Sequence, residues 1–234
     1  MFMIILQKKK VMLVRCSAIG KLMTAPRNKS ELLSETAKTY IQDYFKEKEL
    51  GIAKEFWSRY TDKGLQMEGE AIEFAGQVLG WDFVVKNTER YNNEWLTGEP
   101  DVITKDLLAD IKCSWDANTF PMFDTELKNK DYFWQLQGYM FLTGMDKAEL
   151  VYCLMNTPHA IVEDEVRRAH WKAGLIDEDL DLREAVQSQH NFDHLPNELR
   201  IKRFIVEKDE QAIEQIKEKV EIARDYYEML KDIL

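Results

Sequence analysis

The sequence has few of the residues that mark disulfide frameworks, metal–sulfur sites, linkers or membrane spans. Its three cysteines, Cys16, Cys113 and Cys153, lie far apart without Cys-x-x-Cys spacing, which excludes a disulfide framework and a zinc site of the usual pattern. Five prolines and ten glycines form no rich stretch, so no linker divides the chain. No apolar run approaches the roughly 20 residues that a membrane span needs. These absences predict a protein of the reducing cytoplasm with no membrane partner.

Acidic residues are missing from the first thirty positions, although the chain as a whole has a net charge of -10. The basic residues of this segment are Lys8, Lys9, Lys10, Arg15, Lys21, Arg27 and Lys29. They are expected either to contact nucleic-acid phosphates or to be a solvated cluster, and the segment alone favours neither. The apolar residues 1–6 lack the flanks of a signal peptide and are interpreted as a first strand.

Hydrophobic periodicity predicts a mixture of helices and strands. Helical spacing occurs at residues 30–48, with Ser30 as the cap, and at residues 64–80, with Gly80 as the stop. Strands of an antiparallel meander, separated by turns at residues 92–93 and 105–106, are predicted at residues 81–85, 95–104 and 107–113. The C-terminal part is predicted to contain a helix at 132–143, strands at 148–155 and 200–206, and an amphipathic helix at 209–234.

The order of these elements, αβββαβ with extra C-terminal helices, predicts an α/β (α+β) fold with a mixed central β-sheet flanked by helices. A polar, mostly helical stretch follows the strand at 148–155. We therefore expect a single domain over residues 1–234, with a helical insertion at about 158–195.

Two neighbouring predicted strands each carry an acidic residue, in Gly98-Glu-Pro-Asp101 and in Leu107-Leu-Ala-Asp110-Ile-Lys112. Asp110 and Lys112 share one face of an otherwise apolar strand. Carboxylates hold Mg²⁺ together with water and phosphate oxygens, and the ion activates water for phosphodiester hydrolysis. A nearby lysine orients that water or neutralises charge. The alternative is an exposed acid–lysine pair, because the same tripeptide pattern recurs as Glu126-Leu-Lys128.

Three further motifs accompany these strands: Arg15-Cys-Ser17, Gly64-Leu-Gln-Met-Glu68 and Trp134-Gln135-Leu-Gln137-Gly-Tyr139. With the two acidic strands, and in this order, they resemble the phage exonuclease branch of the PD-(D/E)xK superfamily, which includes lambda exonuclease and the YqaJ-type and RecB-type nucleases. The resemblance covers residues 15–154 and implies a restriction-endonuclease-like core.

The resemblance implies which motif residues would act in catalysis and which would bind the metal. Lys112 would be the catalytic lysine, assisted by Gln135. The implied metal ligands are the side chains of Glu68, Asp101 and Asp110 and the backbone carbonyl of Ile111. Glu70 is the nearest rival of Glu68, which the spacing from Gly64 favours.

DNA contacts are implied for Ser17, for Arg15 beside it, and for Tyr139. Ser17 would need no DNA if it were only a helix cap. Gln135 and Tyr139 lie one helical turn apart and share a face, and their alternative is a glutamine on a polar face beside a core tyrosine. Glu99 stands where some relatives have a small hydroxyl residue, so the resemblance does not extend to recognition of a 5′ end.

The remaining candidate residues are interpreted as structural. The four histidines, His159, His170, His190 and His194, show no metal spacing with acids and are interpreted as surface or packing residues. Trp115 and residues 120–123 are interpreted as loop packing rather than a platform for base stacking.

The prediction is therefore a Mg²⁺-dependent deoxyribonuclease, with Mn²⁺ able to substitute, that resects linear double-stranded DNA for phage recombination. The resemblance implies DNA ends as substrate, a single-strand annealing recombinase as partner, a trimeric ring as one assembly, and the bacterial host cytoplasm. An iron–sulfur cluster is not expected, since it needs four cysteine ligands. The alternatives are a RecB-like or CRISPR-associated nuclease, an endonuclease, or a non-catalytic DNA-binding module on the same fold.

Overall fold

The strands form two mixed sheets in the computed structural model, which describes residues 12–54 and 57–233. The strand predicted at residues 1–6 and the lysines at 8–10 lie outside the described residues. The strands are β1 (Val14–Arg15), β2 (Tyr91–Asn92), β3 (Leu96–Gly98), β4 (Val102–Ile103), β5 (Leu108–Cys113), β6 (Lys147–Cys153) and β7 (Ile201–Glu207). The three-stranded sheet has the order β1-β3-β2, and the four-stranded sheet has the order β4-β5-β6-β7.

Each sheet contains one parallel pair, β1 with β3 and β5 with β6, and its other pairs are antiparallel. The helices are α1 (Ile19–Met23), α2 (Glu35–Glu49), α3 (Arg59–Leu79), α4 (Lys130–Thr143), α5 (His159–Ala173), α6 (Leu180–Ser188) and α7 (Glu210–Ile233). A mixed sheet flanked by helices confirms the predicted fold class.

The four-stranded sheet has an apolar layer on each face, because side chains alternate along its strands. One face carries Leu108 and Leu150, which belong to the same buried cluster as residues of α1, α2, α4 and α7. The opposite face carries Ala109, Ile111 and Val151, which pack against α3. The two faces of β5 are therefore covered by different helices, and this places α3 and α4 on opposite sides of the strand.

The helix starts differ from those predicted. The Ser34 hydroxyl accepts a hydrogen bond from the Ala37 N–H at 3.1 Å, so α2 is capped at Ser34 and the predicted cap at Ser30 is wrong. α3 begins at Arg59 behind the cap Ser58, five residues before the predicted start. Its end is as predicted, because Gly80 adopts the left-handed conformation at φ 68° that terminates helices.

The strand predictions fail between α3 and β5. Residues 81–85 form no strand: Phe83 has a φ of 49° and is 98% exposed, so this apolar run has no layer to pack against. The strand predicted at 95–104 is interrupted at Pro100, which lacks an N–H for a ladder, and its halves β3 and β4 join different sheets. The later strands and α4 and α7 occur within two residues of the predictions.

The polar stretch after β6 folds as the helix pair α5 and α6, as predicted, and Gly174 ends α5 at φ 71°. Its status as an insertion within a single domain stays a prediction. None of the helices within 12–54 and 57–233 is long and apolar enough to cross a membrane.

Candidate active site

Asp101 is fixed beside the middle of β5. The pairing of β4 with β5 extends only from Ile103 and Leu108 to Val102 and Ala109. Past that point the edge of β5 is covered by the Asp101 side chain, whose Oδ2 accepts a hydrogen bond from the Ile111 N–H at 2.6 Å. The N–H and carbonyl of one strand residue point to the same edge, so the Ile111 carbonyl also faces this side.

Asp110 and Lys112 project from the face of β5 that α4 covers. Asp110 is 1% exposed, and its Oδ2 lies 2.5 Å from the Lys112 Nζ. The Lys112 ammonium also lies 5.2 Å from the centre of the Tyr132 ring on α4. The predicted acid–lysine pair is thus a largely buried ion pair, with Asp110 buried and Lys112 24% exposed, and not a solvated pair on an open sheet face.

A short hydrogen-bond chain connects this ion pair to the residue that precedes Pro100. Gln135 Nε2 donates to Asp110 Oδ1 at 2.9 Å and to the Tyr139 hydroxyl at 3.0 Å. The Tyr139 hydroxyl donates to the Glu99 carbonyl at 3.2 Å. Burial, with the charge of Asp110 in addition, raises the pKa of Tyr139, so the hydroxyl keeps the proton that it donates. The chain ties α4 to both acidic segments.

Glu68 lies on α3, the helix that packs against the face of β5 carrying Ala109 and Ile111. Its Oε2 lies 2.6 Å from the Nζ of Lys86, a residue that sequence analysis missed. Glu70, the rival candidate, is exposed. Nothing in the local sequence marks Lys86, because it follows a segment whose apolar pattern wrongly predicts a strand.

The three acids influence one another electrostatically. Burial raises the pKa of Asp101 to about 7, and the charges of Asp110 and Glu68 act in the same direction. Lys112 and the Ile111 N–H oppose this rise. Burial disfavours the charge on Lys112, but Asp110 and Asp101 outweigh it and raise the lysine's pKa above its ordinary value. The pKa of Asp101 is therefore raised by both other acids, while Lys112 stays charged.

The acids are not arranged as a ready-made metal cluster. Among residues 12–54 and 57–233, no three carboxylate, imidazole or thiol groups stand close enough to hold a metal ion. Asp110 Oδ2 is nevertheless buried and accepts no hydrogen bond of normal geometry from the described residues, although Lys112 lies beside it. The candidate ligands are all oxygen atoms, and one of them is a buried carboxylate oxygen that lacks a hydrogen bond of normal geometry. Such a set fits a hard cation such as Mg²⁺.

Ser17 and Arg15 lie in a separate cavity of about 870 Å³ between β1, α1 and α2. Ser17 is exposed and does not cap α1, which begins after Ala18. Arg15 pairs with Glu47 at 2.8 Å. The hydroxyl of Tyr40, which lines the cavity, is buried without a hydrogen-bond partner among the described residues. This cavity offers exposed polar groups to a ligand, but the structure does not bring Ser17 into the ion-pair centre.

Tyr139, the third predicted DNA contact, is 5% exposed and uses its hydroxyl within the protein. Direct contact with DNA therefore remains a prediction for this residue, whereas its contact with Gln135 is part of the fold.

The aromatic residues after β5 pack as predicted, with one exception. The ring of Trp115 lies 4.9 Å from that of Tyr60 and 5.1 Å from that of His190. Phe120 is buried, whereas Phe123 is almost fully exposed. Around Trp115 the structure also reveals a lysine that sequence analysis missed. Lys63 is 0% exposed and donates to the Trp115 carbonyl at 2.9 Å.

The other three histidines, His159, His170 and His194, have structural or surface positions. His170 joins α5 to the next helix, because its ring nitrogens contact the Val166 carbonyl at 2.9 Å and the Asp179 N–H at 2.9 Å. His159 and His194 lie at the surface. These positions agree with the interpretation of the histidines as surface or packing residues.

Comparison with solved structures gives similarity along almost the whole chain. A phage-related exonuclease from Haemophilus somnus 129PT is 32% identical, with 95% of this chain and 96% of that chain covered and a TM-score of 0.77. The alkaline exonuclease LHK-Exo from Laribacter hongkongensis shares the fold at 16% identity, with 94% and 90% of the two chains covered and a TM-score of 0.62. Its complex with dAMP gives a TM-score of 0.61 at 17% identity, with the same coverage. No family model matches the sequence, and no curated protein matches it.

Proposed function

This chain belongs to the phage exonuclease branch of the PD-(D/E)xK nucleases, and from that premise we propose that it is a metal-dependent exonuclease that hydrolyses the phosphodiester bonds of DNA. The observation that carries the proposal is that Asp101 covers the edge of β5 at Ile111, while Asp110 and Lys112, on either side of Ile111, form an ion pair on one face of the same strand. A buried acid–lysine pair beside a second acid whose pKa is raised to about 7 is typical of a reactive centre and not of a solvated surface.

Glu68, Asp101, Asp110 and the Ile111 carbonyl would hold the metal ion. Bound Mg²⁺, or Mn²⁺ in its place, supplies polarisation of the phosphate and a water with a lowered pKa. Glu68 is paired with Lys86 and Asp110 with Lys112, so each ammonium group would have to shift from the carboxylate oxygen for the ion to bind there. Asp101 must lose any proton it carries, so loading is favoured above about pH 7.

Lys112 has the position of the catalytic lysine. Its ammonium is confined between Asp110 and the face of the Tyr132 ring. From there it can orient an attacking water and neutralise charge that develops on the phosphate. Gln135 holds Asp110 through Oδ1 while Oδ2 pairs with Lys112, and Tyr139 fixes Glu99 two residues before Asp101. We assign both residues to positioning the acids.

DNA would approach from the side of Ser17 and Arg15. Cys16, which lies between them, packs against Gly98 and Gly138, so this segment is held next to the strands and helix that carry the site. An exposed hydroxyl and a guanidinium are suited to phosphate contacts. The substrate that we propose is the end of a linear duplex.

The biological role that we propose is resection of DNA for phage recombination in the bacterial host cytoplasm. It includes handover of the resected strand to a single-strand annealing recombinase, and a trimeric ring as the working assembly. Both are testable on the purified protein, by sedimentation for the ring and by co-purification with a co-expressed annealing protein for the partner. A monomer with full activity would contradict the ring.

The activity is tested by digesting end-labelled linear duplex, single-stranded and circular DNA in Mg²⁺, in Mn²⁺ and with a chelator. Stepwise loss of label from the linear duplex is expected in either metal, with circles intact and no cleavage with the chelator. Nicked circles would indicate an endonuclease. Binding of DNA without cleavage in either metal would indicate the non-catalytic module.

Two variants tie the activity to the centre. Asp110→Asn and Lys112→Met are each expected to lower the rate by about 100- to 1000-fold, the usual size of such electrostatic losses. Circular dichroism and DNA affinity should stay close to wild type. Lys128→Met is the matched control, because Lys128 belongs to the second acid-x-Lys copy and is exposed. Equal losses in all three variants would refute the assignment of the site.

A further inference from the structure

The loop between α3 and β2 is fastened to the acidic segment that precedes β4. The Asn87 N–H donates to the Asp101 carbonyl at 2.8 Å. The Asn87 side-chain amide donates to the carbonyls of Pro100 and Glu89, each at 2.9 Å. These hydrogen bonds hold the loop directly beside Asp101, and the residue before Asn87 is therefore held close to the site.

That residue is Lys86, and its ammonium faces the acids. It lies 2.6 Å from Glu68 Oε2, and the hydrogen bond to Glu68 raises the pKa of Lys86, with smaller contributions from Asp101 and Glu99. The Lys86 side chain is 48% exposed, twice the 24% of Lys112. Lys86 can therefore move away from Glu68 without unpacking any core.

Charge balance makes such a movement necessary when a divalent cation binds. Lys86 pairs with Glu68 and Lys112 pairs with Asp110, so each lysine neutralises an acid that would ligate the metal. An ammonium at Glu68 Oε2 occupies the direction from which a metal would be ligated and repels it as well. The phosphates of DNA entering the site are anionic groups that could then receive the displaced ammonium.

We propose that Lys86 is an exchangeable counter-cation of this active site: it neutralises Glu68 while the metal is absent, and it transfers to a DNA phosphate when the metal takes its place. This inference rests on the proposed nuclease function. It adds to Lys112 a second lysine with a different task, because Lys86 couples loading of the metal to binding of the nucleic acid.

The first measurement is metal binding without DNA, by calorimetric titration of Mn²⁺ and Mg²⁺ into the purified protein. Lys86→Met should bind the ion about tenfold more tightly, the size of the water-screened repulsion between a single and a double charge about 6 Å apart. Lys86→Arg, which keeps the charge, should bind like wild type. So should the control Lys105→Met, which alters an exposed lysine in the turn between β4 and β5.

The second measurement is DNA affinity as a function of salt concentration, with Ca²⁺ as the cation and gels to verify that the DNA stays intact. Loss of one phosphate contact should lower the slope of log affinity against log salt by about 0.9 for duplex DNA. Lys86→Met should show this decrease, and Lys86→Arg and Lys105→Met should not.

Only the combined result, tighter metal binding with weaker and less salt-dependent DNA binding, supports the exchange. A lysine that merely stabilises the loop would change neither quantity in this direction. If Lys86→Met has the metal affinity or the salt slope of wild type, the inference is wrong. If the wild type itself binds neither metal, the proposed function fails, and that result is distinct from the first.

Discussion

Replacing Lys63 with methionine should stabilise the protein at neutral pH. Lys63 is fully buried, with its ammonium 5.9 Å from the Trp115 ring centre and 5.6 Å from that of Phe192. Burial lowers its pKa from 10.5 to about 8, although Cys113 and Asp116 oppose this decrease. The neighbouring imidazole of His190 also has a lowered pKa, through burial first and then through Lys63. The folded protein thus holds a lysine whose charge is unfavourable.

The magnitude follows from the two pKa values. The decrease corresponds to about 3 kcal/mol against the charged lysine in the folded state. Below pH 8 the lysine is charged in both states, so this cost is fully present; it disappears as the pH rises from about 8 toward 10.5. Methionine has a similar shape but leaves the Trp115 carbonyl without its donor, which costs about 1–2 kcal/mol. We expect a net gain of about 1–2 kcal/mol at pH 7.

Urea unfolding of both proteins at pH 7 and pH 10 provides the assay. The variant should be more stable at pH 7, and its advantage should vanish or reverse by pH 10, because the wild-type lysine is then mostly neutral. The difference between the proteins is informative because other titrating groups cancel. A difference that is the same at both pH values would refute the account of Lys63, whatever its sign.

Three further substitutions each test one contact: a hydrogen bond to Asp110, the close packing at Gly98, and the N-terminal cap of α2. Gln135→Met removes the donor to Asp110 Oδ1 and should lower kcat or metal affinity about 10- to 100-fold with little change in KM, which steady-state kinetics would reveal. Gly98→Ala would place a methyl group 2.8 Å from Tyr139 Cε1 and 2.7 Å from Cys16 Sγ. It should therefore lower the free energy of unfolding in urea by about 1–3 kcal/mol and also lower activity. Unchanged stability would contradict the close packing. Ser34→Ala should cost about 1 kcal/mol without any effect on kcat, since it removes only the cap of α2.

The parts of the fold that could be predicted are those whose pattern is local. β5, β6, β7 and α7 carry strong periodicity and occur where it predicts them. The end of α3 is predictable because Gly80 takes a conformation that other residues avoid. Asp101, Asp110 and Lys112 followed from local strand spacing, whereas Glu68 and Gln135 came from the family resemblance. The structure brings Asp101, Asp110, Lys112 and Gln135 together.

The parts that could not be predicted depend on contacts between distant segments. β1 pairs in parallel with β3 through Val14 and Leu96, and nothing in either short segment specifies this partner. The apolar residues around Phe83 resemble a strand in pattern but have no neighbouring strand. Lys63 and Lys86 look like ordinary surface lysines in the sequence, because only the folded chain places one beneath Trp115 and the other beside Glu68.

The two sheets meet at Glu99, Pro100 and Asp101, the short connection from β3 to β4. A proposed metal-binding carboxylate, Asp101, therefore lies at the connection between the two sheets and not within either one. The Asp101 side chain is held by the Ile111 N–H of the four-stranded sheet, while the chain that leads into it comes from β3 of the three-stranded sheet. The position of this carboxylate therefore depends on both sheets at once, so a change in the packing of one sheet against the other bears directly on it.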